Sequence, residues 1–297
     1  MSKLAFDTLA EAAIAAYSGR DPSFASRTRF WVGHFGARDI TTITTDDIED
    51  GIDALMKRGK HQVTTWGPRK KPRLEATGKP LAPSSVNRYI STLGTVFKDL
   101  KKLRLLPRGF VSPMRGVGRL GEGEGRTVTV TVEDVHRLVA AARVSRNRKL
   151  AALTAMACTT GWRLGTLQAL KWRELDLKAG HADTLRTKNG TPHRTPLLSW
   201  VIDELKRMRP EQAQPDDLVF GAGSFKKAWV SALKLADLPQ DWTFHHCRHI
   251  AASILAQSGA SVVTIMQALN HKTPLMAMRY SHLNTDALRE SLGRAWK

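Results

Sequence analysis

The sequence predicts a mainly α-helical protein with one small antiparallel β-sheet, an α+β fold arranged in two domains. Apolar residues recur at helix spacing over most of the 297 residues. Between residues 175 and 198 the pattern changes to that of short strands. A glycine-rich stretch, GVGRLGEGEGR, interrupts the helical pattern and predicts a domain boundary.

Residues 1–115 are predicted to form a helical domain. Thr45 is a candidate N-cap for its second helix and Ser84 or Ser85 for its third, which Pro107 and then Gly109 are expected to close. Three segments carry apolar residues on one helix face: LAFDTLAEAAIAAY (residues 4–17), DDIEDGIDALMKRG (46–59) and SSVNRYISTLGTVFKDLKKLRLL (84–106).

The chain is strongly basic, with 46 Lys and Arg against 27 Asp and Glu and a formal net charge of +19. This surplus favours nucleic acid as the partner, because each phosphate neutralised by Lys or Arg releases condensed counterion. A basic membrane-binding protein is the alternative. We disfavour it because the basic residues are spread along the chain instead of forming one amphipathic helix or polybasic tail.

A loop, HQVTTWGPRKKPRLEATGKPLAP, is predicted between the second and third helices. From Lys57 to Arg73 the chain has seven basic residues and no acidic residue: Lys57, Arg58, Lys60, Arg69, Lys70, Lys71 and Arg73. A solvated charged loop is one explanation of this composition. We favour a loop that grips the DNA backbone, because Lys and Arg supply the phosphate contacts of DNA-binding proteins and the whole chain is basic.

Residues 116–127 are the predicted linker and residues 128–297 the predicted second domain, because glycines disfavour a helix between the two. The first helix of this domain is expected to begin at Thr131, three residues before Asp134, as in a capping box. A long helical pattern follows and is broken at Gly161.

Three short strands are predicted next, in LDLKAG, HADTLRT and HRTPLL. The last two flank Asn189 and Gly190, a dipeptide that strongly predicts a tight β-hairpin. Helices are predicted to resume at SWVIDELKRM and to continue toward the C-terminus.

The sequence also predicts a cytoplasmic protein. No run approaches the roughly 20 apolar residues that cross a bilayer, and the start MSKLAFDTLAEAA lacks a basic region followed by an apolar core. Two cysteines, Cys158 and Cys247, are too few for a disulfide scaffold and suit a reducing compartment.

A basic protein that cleaves a phosphodiester needs a defined set of side chains, and the sequence contains candidates for them. Arg is the best clamp for the charged transition state, because its planar fork donates two parallel hydrogen bonds and stays protonated. Arg163 lies in an apolar segment, where a lone cation is costly unless it meets an anion. Lys188 lies beside the predicted hairpin turn, and His271 and Tyr280 follow near the end of the chain. Each of these residues alone is more often structural than functional.

The stretch TFHHCRH, residues 243–249, admits two interpretations. His245 and His249 have the i, i+4 spacing of a zinc-binding helix, and Cys247 is a further type of zinc ligand. Arg248 argues against a metal, because it would face the charge of the metal and no carboxylate lies among these residues to compensate. We therefore predict an anion site without metal or cofactor, with His249 in a supporting position and Cys247 in the core.

In order and spacing these residues resemble the tyrosine recombinase, or phage integrase, family. Its members carry an Arg in a T-G-x-R box, a hairpin Lys, an H-x-x-R motif, a later His or Trp, and a Tyr nucleophile. The match covers the chain from about residue 128 to the end and is most specific over residues 245–283. The resemblance implies a helical core-binding domain followed by a tyrosine recombinase catalytic domain. The matching positions are Arg163, Lys188, His245, Arg248, His271 and Tyr280.

The resemblance implies roles for the residues that would hold the phosphate. Arg163 and Arg248 would clamp the scissile phosphate. His245 would add a hydrogen bond and assist proton movement, and His271 would hydrogen-bond a non-bridging oxygen.

The resemblance also implies the chemistry and the assembly. Tyr280 would attack to leave a 3′-phosphotyrosine, and Lys188 would protonate the departing 5′ oxygen, with no cofactor. The partners would be double-stranded DNA, three further copies in a homotetramer on two DNA sites, and in some systems an accessory DNA-bending protein. The setting would be the nucleoid of a bacterial or phage-infected cell, and the task the integration or excision of a phage or mobile element. The segment DALRESLGRAWK could dock on a neighbouring copy or pack in cis.

The chain departs from the family pattern at three positions. Thr166 stands where an acidic residue is common, His246 replaces the Asp of H-D-L-R-H, and Asn270 replaces the Gly of L-G-H. Two alternatives to a recombinase follow from the same motifs. One is a non-enzymatic DNA-binding regulator, which would not need Tyr280. The other is a type IB topoisomerase, which the short chain and the small helical first domain argue against.

Overall fold

The computed structural model describes residues 4–64, 73–123, 130–184 and 193–280, together with residues 289, 292, 293 and 296. These residues are mainly helical and include two small antiparallel sheets, which confirms the predicted fold class and adds a second sheet to it. The chain divides into two compact units, Met1–Glu124 and Gly125–Lys297. No helix in the described ranges is long and apolar enough to cross a membrane.

The first unit is a bundle of helices around an aromatic and aliphatic core. Trp31, Phe6 and Leu93 are fully buried at its centre. Helices α1 and α2 pack against each other and against α4, which also contacts α3. The helices are α1 (Phe6–Ala16), α2 (Phe24–Phe35), α3 (Thr45–Arg58) and α4 (Pro83–Lys102).

Helix α2 was not among the predicted helices. Its buried face contains Arg27 and Thr28, polar residues that a hydrophobic pattern assigns to the surface. Arg27 is tolerated there because it pairs with Asp21 and donates a 2.9 Å hydrogen bond to Thr92 Oγ1.

The predicted helix caps of this unit are wrong by one to three residues. Thr44, not Thr45, caps α3 in a capping box with Asp47. Helix α4 begins at Pro83, upstream of the predicted serine caps, because proline fits the first turn of a helix, where its missing N–H costs nothing. It ends at Lys102, earlier than predicted.

The predicted loop after α3 contains a β-hairpin, so the prediction of a loop is wrong for its two arms. Strand β1 (His61–Thr64) pairs with β2 (Arg73–Ala76) in antiparallel register. The pairing continues toward the helices, where Lys60 N–H donates to the Lys79 carbonyl at 2.8 Å. The basic composition of this segment does not indicate strands, because the two strands are stabilised by backbone pairing.

The first part of the predicted linker is attached to helix α4 within the first unit. Asn87, which is buried, donates to the Leu120 carbonyl at 2.9 Å and to Glu122 Oε1 at 2.8 Å. The Leu120 N–H donates back to Asn87 Oδ1 at 2.9 Å. Residues 124–129 lie outside the described ranges.

The second unit places helices around a central buried helix and carries a three-stranded antiparallel sheet. The sheet has the order β3-β4-β5, with β3 (Leu175–Asp176), β4 (His181–Thr184) and β5 (His193–Pro196). The helices are α5 (Val132–Arg143), α6 (Leu150–Thr160), α7 (Leu164–Ala169), α8 (Ser199–Met208), α9 (Lys226–Leu235), α10 (His246–Gln257), α11 (Val262–Leu269) and α12 (Pro274–Met278).

Several local predictions for this unit are confirmed. Thr131 and Asp134 form the predicted capping box at the start of α5, and α8 matches SWVIDELKRM. Strands β4 and β5 pair from His181 with Pro196 to Thr184 with His193, as a hairpin requires. The Asn-Gly turn itself lies in residues 185–192, outside the described ranges.

Helix α6 is the core of the second unit. Ten of its eleven residues are buried, and it packs against α5, α8 and α10. A helix that is apolar on all sides can be stable only when it is surrounded. The C-terminal end of α6 therefore lies inside the domain, and the residues that follow it form part of the candidate site.

Candidate active site

The turn after α6 is shaped by Gly161. Gly161 has φ of 63°, in the left-handed region that favours glycine. A Cβ placed on it would lie 2.3 Å from Leu269 Cδ2 and 3.3 Å from Ala251 Cβ, so even a methyl group would displace Leu269. The predicted break at Gly161 is thus confirmed, and the turn places Arg163 at the N-cap of α7.

Trp162 fixes this turn against the sheet. Its side chain is buried, and its Nε1 donates a 3.2 Å hydrogen bond to Thr195 Oγ1 on β5. The adjacent Arg163 is partly exposed and lines a cavity of about 20 Å³ together with Thr166, Arg248 and other side chains. A cavity of this size holds about one water molecule. Arg163 and Thr166 are therefore close together at the wall of the site.

Arg248 is the buried cation of the site. It is 7% exposed on α10, and its guanidinium donates to the carbonyls of Gly161 at 2.7 Å and Leu269 at 2.6 Å. Burial, and then the charge of Arg163, lower the pKa of Arg248 to about 10, so it remains protonated at neutral pH. No carboxylate in the described ranges contributes to this pKa. The two carbonyls fix the guanidinium without neutralising its charge.

His245 precedes α10 and lies near both arginines. Partial burial, and then the charges of Arg248, Arg163 and His246, lower the pKa of His245. Its ring lies edge-on to that of His249, with centroids 5.4 Å apart. At neutral pH His245 is therefore an uncharged imidazole that can donate or accept a hydrogen bond.

His271 follows the turn at the end of α11. Asn270 takes the left-handed conformation there, with φ of 50°, which asparagine tolerates better than most residues other than glycine. The His271 N–H donates to the Met266 carbonyl at 2.9 Å and closes the turn. Burial, and then Arg248 and Arg163, lower the pKa of His271 to about 4. The Asn that departs from the family's Gly thus keeps the conformation that this turn needs.

Tyr280 completes the cluster, two residues after α12. It is 8% exposed, and its hydroxyl oxygen lies 2.6 Å from His249 Nδ1. Burial raises the pKa of Tyr280, although the charges of Arg248 and Arg279 oppose this. Burial also lowers the pKa of His249 to about 4. The phenol and the imidazole are therefore both neutral at pH 7.

The sequence-predicted site residues fall into three groups. The first group is brought together around the ends of α6, α10, α11 and α12 and consists of Arg163, His245, Arg248, His271 and Tyr280. The second group lies outside the described residues, and the third lies at the end of α3 and the start of β2.

Lys188 lies outside the described residues, as do Arg69, Lys70 and Lys71 of the basic segment. Lys57 and Arg58 are exposed in the last turn of α3, Lys60 is exposed just beyond it, and Arg73 begins β2.

Arg58 has contacts that the sequence did not predict. Its guanidinium lies over the rings of Phe30, at 4.9 Å, and Tyr89, at 5.8 Å, and donates to the Tyr89 hydroxyl at 3.1 Å. Arg58 therefore stabilises the first unit as well as contributing to its positive surface.

Two further residues of the site were not singled out in the sequence. Arg279 is exposed next to Tyr280, and its charge lowers the pKa of both Tyr280 and His271. His193 lines the cavity with Arg163, and its Nε2 is buried without a hydrogen-bond partner in the described ranges. A basic residue directly before the tyrosine was a readable signal, whereas the position of His193 depends on the strand pairing.

The TFHHCRH stretch does not gather ligands for a metal. Cys247 is buried in the core beside Cys158, as expected. Among the described residues, no group of three or more His, Cys, Asp or Glu side chains could hold a metal ion.

The chain is similar in sequence to recombinases and integrases. It matches the phage integrase family over residues 129–287, slightly more than half of its length. It is 29% identical over 208 residues to the shufflon-specific DNA recombinase of Escherichia coli, covering 70% of this chain and 53% of that protein. It is 28% identical over 204 residues to the integrase of Haemophilus phage HP1, covering 68% and 57%. The chain spans little more than half of the length of these relatives.

The fold is also similar to a solved structure. The Tn1549 transposon integrase, in complex with transposon right end DNA, aligns with a TM-score of 0.71 at 14% identity. The alignment covers 99% of this chain and 100% of that one. At this identity the similarity is one of fold.

Proposed function

The chain belongs to the phage integrase family, and we propose that it is a site-specific DNA recombinase that cleaves and rejoins strands through a 3′-phosphotyrosine. The observation that carries this proposal is the position of Tyr280. Its buried hydroxyl shares a cluster with Arg248, a cation that no described carboxylate neutralises. A buried tyrosine beside a prepared anion site has the arrangement that nucleophilic attack on a phosphodiester requires.

The proposed roles follow from charge and geometry. Arg163 and Arg248 clamp the scissile phosphate and stabilise the extra negative charge of the transition state. His245 and His271 are neutral at pH 7, so they offer hydrogen bonds without adding charge. Tyr280 attacks phosphorus, and Lys188, by its resemblance to the hairpin lysine of the family, gives a proton to the leaving 5′ oxygen. The phosphotyrosine conserves the bond energy, so a 5′ hydroxyl of another strand can reverse the attack.

We propose double-stranded DNA as the substrate and the integration or excision of a phage or mobile element as the task. The net charge of +19 and the basic segment near the end of α3 support this substrate. Relatives named as integrases and a DNA recombinase, from a phage and a bacterium, support the task. The protein would act in the cytoplasm, on the nucleoid. Residues 1–115 would form the core-binding domain, residues 116–127 the linker, and residues 128–297 the catalytic domain.

Self-association into a tetramer on two DNA sites is part of the proposal. Helices α11 and α12, which pack together, expose the large apolar side chains of Val263, Leu275 and Met276. Near the C-terminus Leu292 is 52% exposed and Trp296 86% exposed. Exposed apolar residues on both elements support docking between copies, with an accessory DNA-bending protein where the sites require one.

The first test is covalent trapping. The protein is incubated with fragmented DNA from its host or element in EDTA and denatured in SDS, and DNA-linked protein is measured. Wild type is expected to form an adduct, and Tyr280→Phe is expected to form none while retaining salt-sensitive DNA binding. Sequencing the trapped DNA would then identify the site.

Failure of the proposal has a distinct result. DNA binding without an adduct in wild type would refute the proposed cleavage activity and favour a non-enzymatic DNA-binding regulator. An adduct that never joins strands from two differently labelled duplexes would instead favour a topoisomerase acting on one duplex.

A further inference from the structure

The hydrogen bond between Tyr280 and His249 joins two elements distant in sequence. His249 lies in the first turn of α10, whereas Tyr280 follows α12, and the hydroxyl oxygen is 2.6 Å from Nδ1. Both side chains are partly or fully buried. If the neutral imidazole carries its hydrogen on Nε2, Nδ1 is a hydrogen-bond acceptor and the phenol is the donor of this hydrogen bond.

We propose that His249 is the general base of strand cleavage, taking the phenolic proton of Tyr280 as its oxygen attacks phosphorus. This assignment rests on the proposed function and adds a catalytic residue to it, because Nδ1 contacts the reacting atom. In the forward step the Oη–P bond forms, the P–O5′ bond breaks, and the phenolic proton moves to Nδ1. The 5′ oxygen takes a separate proton from the general acid, for which Lys188 is the candidate. Rejoining reverses each transfer, and His249 returns the proton to Tyr280.

Burial and the surrounding charges keep His249 unprotonated and therefore able to accept a proton. Burial comes first among the causes that lower its pKa to about 4, so it is unprotonated at pH 7. The raised pKa of Tyr280 means that its proton does not leave spontaneously at that pH. A base in contact is therefore needed during the attack. The titratable and charged groups that face His249 are His245, His246, Arg248, His271, Arg279 and Tyr280.

The other histidines are less suited to this step. His246 Nδ1 already accepts the Thr243 N–H at 2.9 Å. The ring of His245 lies 5.4 Å from that of His249, between centroids, and its pKa is affected by both arginines of the phosphate clamp. Among these three, His249 is the one with a ring nitrogen on the phenol oxygen.

The first test needs no DNA site. Nitrogen-15 NMR of the full-length protein, with His249→Gln used to assign the signals, reports which ring nitrogen carries hydrogen at pH 7. An unprotonated Nδ1 is expected. A hydrogen on Nδ1 would mean that His249 donates to Tyr280, and this would overturn the assignment whatever the protein does to DNA.

The second test is the pH profile of adduct formation on the trapped DNA site. Wild type should be flat from pH 7 to 9, where His249 is unprotonated. His249→Ala should be about 100-fold slower at pH 7. Its rate should rise with pH, because hydroxide or water must then remove the proton. His246→Ala, at the adjacent position, is the control and should keep the flat profile.

A substrate with sulfur in place of the bridging 5′ oxygen separates the base from the acid. A thiolate leaves without protonation, so this substrate should restore cleavage by Lys188→Ala and leave His249→Ala slow at pH 7. A merely structural role of His249 predicts an equal loss at every pH, and that result would overturn the proposal. If wild type forms no adduct, the proposed function fails, and the NMR result still decides whether Nδ1 can accept the proton.

Discussion

Gly161→Ala should destabilise the second unit and displace its buried arginine. Alanine at φ of 63° costs about 1 kcal/mol relative to glycine. The added methyl group would lie 2.3 Å from Leu269 Cδ2, an overlap of the kind that costs about 1–3 kcal/mol in a packed core. The sum is about 2–4 kcal/mol, which for a unit of this size lowers Tm by roughly 5–15 °C. The carbonyls of Gly161 and Leu269, which fix Arg248, would shift together.

The assay is unfolding by urea and by heat, followed by circular dichroism. Gly165→Ala is the matched control, because no atom lies within 4 Å of its added Cβ and its φ is not in the left-handed region. Alanine there should be neutral or stabilising by up to about 1 kcal/mol. Equal stabilities of the two variants would refute the reasoning.

A double-mutant cycle locates the effect. Leu269→Ala alone should cost about 2–5 kcal/mol, because Leu269 is 1% exposed in the core. In combination with Gly161→Ala, it removes the clashing atom, so the double variant should be more stable than the sum by about 1–3 kcal/mol. Strict additivity would show that Leu269 does not exclude the side chain.

The remaining predictions concern charge. Lys60→Ala should make the negative slope of log K for DNA binding against log salt concentration shallower by about 0.9, as the loss of one phosphate contact does. The slope is measured by fluorescence anisotropy between 50 and 200 mM salt, and an unchanged slope would exclude Lys60 from the DNA interface. The buried Glu204 forms ion pairs with Arg143 and Arg207. Burial raises the pKa of Glu204, but hydrogen bonds from the two arginines outweigh this and the net pKa is lowered. The ion pairs therefore stabilise the fold above about pH 4.5, and this contribution is lost as pH falls through the lowered pKa. Glu204→Gln should therefore cost about 1–3 kcal/mol in urea unfolding at pH 7 and progressively less below pH 4.5, whereas a constant difference would contradict this account.

Sequence patterns predicted best where one local rule decides the structure. The cap at Thr131, the break at Gly161 and the extent of α8 each follow from a few adjacent residues. Helix α2 was missed because its buried face includes Arg27, whose partners Asp21 and Thr92 are supplied by tertiary packing. The hairpin after α3 was missed because backbone pairing, which leaves a weak signal in composition, holds its arms.

The same limit applies to the candidate site. The order of its residues is visible in the sequence, whereas the distances between them are not. Motif order identified Arg163, Arg248 and Tyr280 as members of one site, because spacing along the chain is visible in the sequence. It did not predict that Nδ1 of His249 lies on the phenol oxygen, since that contact depends on how α10 meets the residues after α12. A pairwise distance between elements is a property of packing.

The electrostatics of the cluster explain why HHCRH suits an anion. Arg248 is held by two carbonyls instead of a carboxylate, so in the described part of the chain its charge is fixed in place and left unneutralised. Burial first, and then nearby positive charges that include Arg248, keep His249 and His271 neutral, with pKa values near 4. A phosphodiester bound as proposed would supply the missing negative charge and raise the pKa of both histidines. Substrate binding would thus strengthen His249 as a base at the moment when Tyr280 must lose its proton.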